Sequence, residues 1–416
     1  MILFSVGRLR SLAIVAVAFA LYRASVNSTV LAADPPSKTH AAPGLLDSLE
    51  KSWPDYPEWL AMYVDILDGS QLGPSDGWFR KASAKSRLDW VATRSKLDKD
   101  GDGKVSRSEF KGTDADFARL DRDRDGSIGE PDFDFSTSAL APSTGMSVFY
   151  RADRDGNGKI TRDELNALFN SADRDKLGFL SLGDLQDAFS PAPRSRGSSG
   201  GSQGPTRDVL IKGLFRQEIG SLQPGPKVGE LAPDFTLKTV DGKSEVKLSK
   251  AVGPKPVVLV FGNFTCGPFR GQAGNVEKLY QRYKDRATFL MVYVREAHPK
   301  DGWSMESNDR VGVALRQPQT FEERVGVATT CSNLLGLGFP MLVDAIDDPV
   351  GSVYSGMPSR LYLIDRDGKI AFKNGRGPFG FKPAELEHNL LLLLNEAPRE
   401  QVSRADSKVS IPAGQR

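Results

Sequence analysis

Cys266 stands in the segment Phe261-Gly262-Asn263-Phe264-Thr265-Cys266-Gly267-Pro268-Phe269, just after the apolar run Pro256 to Val260. A strand that ends in a turn holding Cys, Gly and Pro presents its thiol at the start of a helix. There the helix dipole and free backbone N–H groups favour thiolate over thiol. The position three after the cysteine is Phe269, so half of a Cys-x-x-Cys redox pair is missing. Cys266 then acts as a lone nucleophile or with a partner elsewhere; the alternative is a buried structural cysteine. The one other cysteine, Cys331 in Thr329-Thr330-Cys331-Ser332-Asn333, is a candidate to resolve an oxidised Cys266 by forming a disulfide.

A second chemistry is written in four Asp-rich loops. Asp98, Asp100 and Asp102 offer carboxylates, Lys104 a backbone carbonyl and Ser106 a water-linked contact; Glu109 is long enough to be bidentate. Gly103 allows the sharp turn, and Val105 is placed to pair with a neighbouring loop. This is the 12-residue EF-hand pattern, and six to eight hard oxygens are what calcium takes. Asp153, Asp155, Asn157, Lys159, Thr161 and Glu164 repeat it equally well. The loop 121–132 keeps Asp121, Asp123, Asp125 and Ser127 but ends in Asp132, one methylene shorter, which implies weaker or more magnesium-like binding. In the loop 173–184, Leu177 stands where an oxygen ligand belongs, so a structural role is expected. Calcium is the expected cofactor. Methionines are sparse here, so a calmodulin-like target groove is not expected.

Composition bounds the rest. The 416 residues allow two to three domains; 55 basic and 53 acidic side chains leave no basic block for nucleic acid. Having only His40, His298 and His388 argues against a His-rich zinc or iron site, and two cysteines make no disulfide scaffold. Arg8 and Arg10 precede an apolar run from Leu12 to Tyr22, followed by small-residue sites at Val30-Leu31-Ala32 and Leu31-Ala32-Ala33. That reads as an export signal at 1–33, cleaved or kept as an anchor, and places the chain in the periplasm or outside the cell.

The elements that must position these groups divide as follows: a disordered stretch 34–56, an all-α EF-hand domain 57–190, a linker 191–224, an α/β thioredoxin-like domain 225–398 and a tail 399–416. Helical signals run through about 57–95. In the C-terminal domain, Phe235 to Lys238 is a short strand, Pro256 to Phe261 the buried central strand and Asn275 to Tyr283 a helix. Ala287 to Val294 is a further strand, Arg360 to Lys373 a hairpin turning at Asp367-Gly368, and Pro383 to Asn395 a closing helix. This is the thioredoxin-like order. In such folds a proline at the place of Pro358 is cis and packs against the thiol. His298 follows a strand end beside Glu296, where it can relay a proton while Glu296 orients it. Arg376, in a Gly-rich turn, suits a substrate carboxylate; a solvated arginine is the alternative.

Phe261-Gly262-x-x-Thr265-Cys266-x-x-Phe269, Glu296-Ala297-His298 with Asp301-Gly302-Trp303, and Gly375-Arg376-Gly377-Pro378-Phe379 resemble the iodothyronine deiodinase family over roughly Val228 to Leu394. Cys266 stands where that family has selenocysteine, Pro318 where it has a second substrate-contacting His, and Ser359 where it has an acidic residue. The opening Ala232-Pro233-Asp234-Phe235 is similar to the broader redoxin group. The resemblance implies a thiol-dependent oxidoreductase with Cys266, Thr265, Glu296 and His298 catalytic, Arg376 and Pro358 at the substrate, a halogenated aromatic substrate and an external thiol reductant. A peroxide- or disulfide-specific redoxin and a non-enzymatic calcium-dependent binding protein remain the alternatives. A homodimer is among the assemblies left open.

Overall fold

The computed structural model describes residues 53, 56–72, 84–135, 144–189 and 205–396, all in one compact unit spanning 42–416. The expected signal 1–33, the linker residues 191–204, the tail 399–416 and nearly all of 34–56 lie outside the described residues. Among the described residues no helix is long and apolar enough to cross a membrane.

Six strands form the main sheet in the order β1 (Lys85–Ser86), β8 (Ile370–Lys373), β7 (Arg360–Ile364), β4 (Val257–Gly262), β5 (Thr288–Tyr293) and β6 (Met341–Val343). At its centre is β4 (Val257–Gly262), whose unbroken apolar run is buried on both faces. β5 (Thr288–Tyr293) lies parallel to β4, and β6 (Met341–Val343) parallel to β5. On the other side β7 (Arg360–Ile364) and β8 (Ile370–Lys373) run antiparallel as the expected hairpin. A separate ribbon pairs β2 (Thr236–Lys238) with β3 (Glu245–Lys247) across the Asp241-Gly242 turn. The thioredoxin-like reading of this region holds. β1 (Lys85–Ser86), from a stretch read as helical, instead extends the sheet beside β8, with Lys85 opposite Lys373.

The helix after β4 runs Gly267–Tyr283, eight residues earlier in its start than the hydrophobic pattern suggested. Gly267, Gly271 and Gly274 lower helix propensity and masked its first turns; Cys266 is its N-cap and Pro268 sits in its opening turn, where no N–H is needed. The helix Phe321–Leu335 starts at Thr320, whose hydroxyl accepts from the Glu323 amide, and it turns Cys331 inward.

Residues 205–224, read from sequence as the end of a linker, are not linker: they hold the helix Arg207–Phe215. Leu210, Ile211 and Leu214 on one face of it pack with Ala61, Met62, Tyr63 and Ile66 of the helix Glu58–Leu67. The Gly/Ser-rich composition nearby hid this apolar stripe. The first pair of Asp-rich loops is joined by the bridge Val105–Ile128, with amide-to-carbonyl distances of 2.9 and 3.0 Å. Its Phe110, Phe117 and Leu120 enter the same core as the sheet, and Arg286 grips Asp116 with two hydrogen bonds of 3.0 and 2.9 Å. EF-hand and redoxin regions thus share one core, which a modular reading of the sequence did not include.

Candidate active site

β4 delivers Asn263, Phe264, Thr265 and Cys266 to the end of the sheet, and all four are buried. Asn263 is the hub. Its Nδ2 donates to the Pro358 carbonyl (2.9 Å), and its Oδ1 accepts the amides of Cys266 (3.0 Å) and Ala297 (3.2 Å). The Met357–Pro358 peptide is cis, as read from the sequence. The one sequence signal for Asn263 is a polar residue directly after an apolar buried strand.

Glu296 is buried. Its Oε2 accepts the Thr265 amide (2.8 Å) and hydroxyl (2.7 Å), and Oε1 accepts the Tyr293 hydroxyl. Burial pushes its carboxyl up from the ordinary range, while Tyr293 and Thr265 oppose that. Glu296 therefore braces the cysteine turn, and the expectation that it orients His298 is corrected. The His298 Nδ1 lies 3.0 Å from the Trp303 carbonyl, the Trp303 ring packs edge-on at 4.8 Å, and the His298 amide donates to Thr265 Oγ1 (2.9 Å). A carbonyl only accepts, so neutral His298 carries its proton on Nδ1 and leaves Nε2 as a base. Burial lowers its pKa to about 4.

Cys266 is 1 % exposed. Burial pushes its thiol up to about 11, although the Phe269 amide and the Arg270 charge pull the other way. In this closed arrangement desolvation, the largest cause, works against the thiolate expected at the helix N-terminus. Cys331 is also fully buried and free, and burial raises its thiol strongly. Arg270 and Glu296 feel both thiols, so the two cysteines face one electrostatic neighbourhood.

Arg376 is buried and does not face solvent. Its Nε meets Glu58 Oε2 at 3.2 Å, and one terminal nitrogen donates to Ser221 O (2.8 Å) and Ser355 Oγ (2.9 Å). Arg360 holds the same carboxylate at 2.9 and 2.8 Å. The carboxylate that Arg376 takes here belongs to the chain itself, from a helix 318 positions away in sequence. A cleft of about 800 Å³ opens instead beside Phe264, lined by Arg316, Gln317, Pro318, Gln319 and Glu323 among others. Gln317, which sequence reasoning passed over, accepts the Glu296 amide at 3.2 Å.

The Asp-rich loops carry preformed oxygen clusters. Asp98, Asp100 and Glu109, then Asp121, Asp123 and Asp132, then Asp153, Asp155 and Glu164 each bring ligand atoms within 4.8 Å of one another. In the first loop Asp98 accepts the amides of Gly101 (2.7 Å) and Gly103 (3.1 Å), and Asp102 that of Lys104 (2.8 Å). Asp125 accepts the Ser127 amide at 2.8 Å in the second, and Asn157 the Lys159 amide at 2.8 Å in the third. All-oxygen sets of this kind fit a hard divalent cation. The fourth loop keeps Asp173 bonded to the Leu177 and Gly178 amides, but no such cluster forms there among the described residues.

The family model of iodothyronine deiodinases matches residues 210–393, and that of EF hands matches 95–112 and 146–169. Type I iodothyronine deiodinase of Xenopus laevis is 29% identical over 159 residues, covering 38% of this chain and 61% of that protein. Thyroxine 5-deiodinase of Gallus gallus is 34% identical over 163 residues, covering 38% and 60%. The chain spans about 60% of the length of these two relatives. Among solved structures, the thioredoxin domain of a thiol-disulfide oxidoreductase from Bacteroides vulgatus is similar at 21% identity and a TM-score of 0.27, covering 37% of this chain and 93% of that one.

Proposed function

We propose that this chain, which joins a deiodinase-like thioredoxin-fold domain to EF-hand motifs, is an exported, calcium-binding thiol oxidoreductase with Cys266 as nucleophile. The observation that carries the reading is the placement of Cys266 as N-cap of the helix Gly267–Tyr283, with Asn263 linking its amide to the carbonyl of the cis Pro358 and with the preceding Thr265 braced by Glu296.

The cleft at Phe264 receives a small molecule, of which a halogenated aromatic is the class the deiodinase likeness favours, and the buried Cys266, two residues on, meets it when the turn opens. The Cys266 thiolate attacks the halogen; the S–halogen bond forms as the carbon–halogen bond breaks, and the ring carbon takes a proton. An external thiol then attacks the sulfenyl sulfur, halide leaves and a mixed disulfide forms. A second thiol frees Cys266, so the substrate gains two electrons and two thiols become a disulfide. Neutral His298 holds or relays a proton through Nε2, and Asn263 and Glu296 keep the turn in place. Bound calcium supplies no step; Asp98, Asp100, Asp102, the Lys104 carbonyl and Glu109 would hold it in the first loop, and the corresponding residues in the second and third.

The test is halide release from halogenated phenols with a dithiol reductant, in wild type and Cys266→Ser. Release that the substitution abolishes supports the reading. Peroxide consumption in its place would move the chain to the peroxide-reducing class. Activity that survives Cys266→Ser would overturn both.

A further inference from the structure

The third calcium loop sits directly on the cysteine helix. Arg270, one turn past Cys266, is 4 % exposed and bonds three neutral oxygens: Gly156 O in the loop (3.2 Å), Asn308 Oδ1 (2.8 Å) and Phe264 O in the cysteine turn. Asn308 in turn donates to the Thr265 carbonyl at 2.8 Å. One guanidinium thus ties the loop to both sides of the nucleophile's segment.

Two glycines show how close the backbones lie. A Cβ on Gly158 would stand 2.0 Å from the Arg270 carbonyl oxygen, and one on Gly274 would stand 2.3 Å from the Gly158 carbonyl oxygen. The loop's own turn requires Gly158, whose φ is +79°. Gly274 has no such need; inside a helix it costs about 1 kcal/mol against alanine, and the contact with the loop is what it provides. Lys159 adds a second attachment. Its backbone carbonyl stands at the seventh position of the loop pattern, where it would face the cation, while its Nζ donates to Leu335 O (2.7 Å) and Gly336 O (3.2 Å), capping the helix that carries Cys331. In the first loop the equivalent Lys104 pairs with Asp125 of the neighbouring loop (3.0 Å) and, among the described residues, reaches no cysteine element.

We infer that Arg270 is a positioning residue for the Cys266 turn, and that calcium in the loop 153–164 holds it there by fixing Gly156 and Gly158 against the helix Gly267–Tyr283. Without a cation the carboxylates of Asp153, Asp155 and Glu164 repel one another within 4.8 Å, and the loop leaves its seat more often. With the cation bound, the span between the ligands is rigid, Arg270 keeps its Gly156 acceptor, and the buried Cys266 is opened to solvent less often. This regulation builds on the reading of Cys266 as the nucleophile.

Hydrogen exchange of the full chain with excess calcium and with EGTA, read by mass spectrometry over 264–276, tests it alongside iodoacetamide alkylation of Cys266. Calcium should slow both by about threefold or more in wild type and in Glu109→Gln. Glu164→Gln should lose the response, and Arg270→Lys should weaken it. Protection confined to the loops themselves, or an unchanged alkylation rate in wild type, overturns the inference. So does Arg270→Ala alkylating faster by the same factor with and without calcium, which would make the residue merely structural. Neither readout uses turnover, so a failed search for substrate leaves this result standing on its own.

Discussion

Glu296 accepts both the amide and the hydroxyl of Thr265, at 2.8 and 2.7 Å, so the residue before the nucleophile is held by one carboxylate oxygen. The other oxygen takes the Tyr293 hydroxyl, which itself accepts the Phe264 amide at 3.1 Å. Each of these hydrogen bonds to the side chain therefore needs the Glu296 carboxylate as its acceptor.

Glu296→Gln puts an NH2 group where one of these donors points. It should lower the turnover assigned to Cys266 at least about tenfold and destabilise the fold by about 1–3 kcal/mol. Urea unfolding and halide release check the two effects separately. Unchanged kinetics with reduced stability would limit Glu296 to a structural role.

The alkylation rate of Cys266 should climb about tenfold per pH unit through the neutral range and level off only near about 11. Only the thiolate reacts, and burial keeps the thiol protonated below that pH. No break is expected near pH 6.5, because His298 is neutral above about 4. A plateau near pH 8 would show that the turn opens in solution and frees the thiol from its desolvation.

Glu58 is held between Arg360 and Arg376, and although burial alone would raise its carboxyl, the two guanidinium charges bring it down to about 2. Its side chain is 31% exposed, so Glu58→Gln should cost on the order of 2 kcal/mol, below the range for a fully buried pair. A depressed folded pKa means stability that is complete above the ordinary value of 4.5 and lost as pH falls through about 2. The difference in denaturation midpoint between wild type and Glu58→Gln should shrink over that window. A gap constant with pH would show that packing, not charge, ties this helix down.

Calcium titration by calorimetry should count three sites per chain, matching the three oxygen clusters. Glu109→Gln should remove the first. Asp184→Asn should leave the count unchanged, because Leu177 already deprives the fourth loop of a ligand. A fourth site lost in Asp184→Asn would overturn that assignment. EGTA should lower Tm in wild type, since ligands that bind only the folded state stabilise it by mass action.

Local order in the sequence determined a good deal. Ligand spacing in the loops, the apolar run before Cys266, the hairpin around Asp367-Gly368 and the proline at 358 are all short-range features, and each sets backbone geometry within a dozen residues. They placed β4, β5, the β7–β8 hairpin, the cysteine turn and the oxygen clusters, while β1 and β6 carried no such signal. What the tertiary structure decided was desolvation and partnership across long separations. Cys266 sits in a strand-to-helix turn by its neighbours, but its raised pKa comes from the core closing over it. Arg376 could be read as free for a substrate until Glu58, 318 positions away, filled it. Arg270 gave no signal at all, because its acceptor Gly156 lies 114 residues upstream in a loop whose pattern concerns only a metal ion. Periodicity and motif spacing record a residue's neighbours along the chain; burial and charge pairing depend on neighbours in space, which the packed core alone assigns.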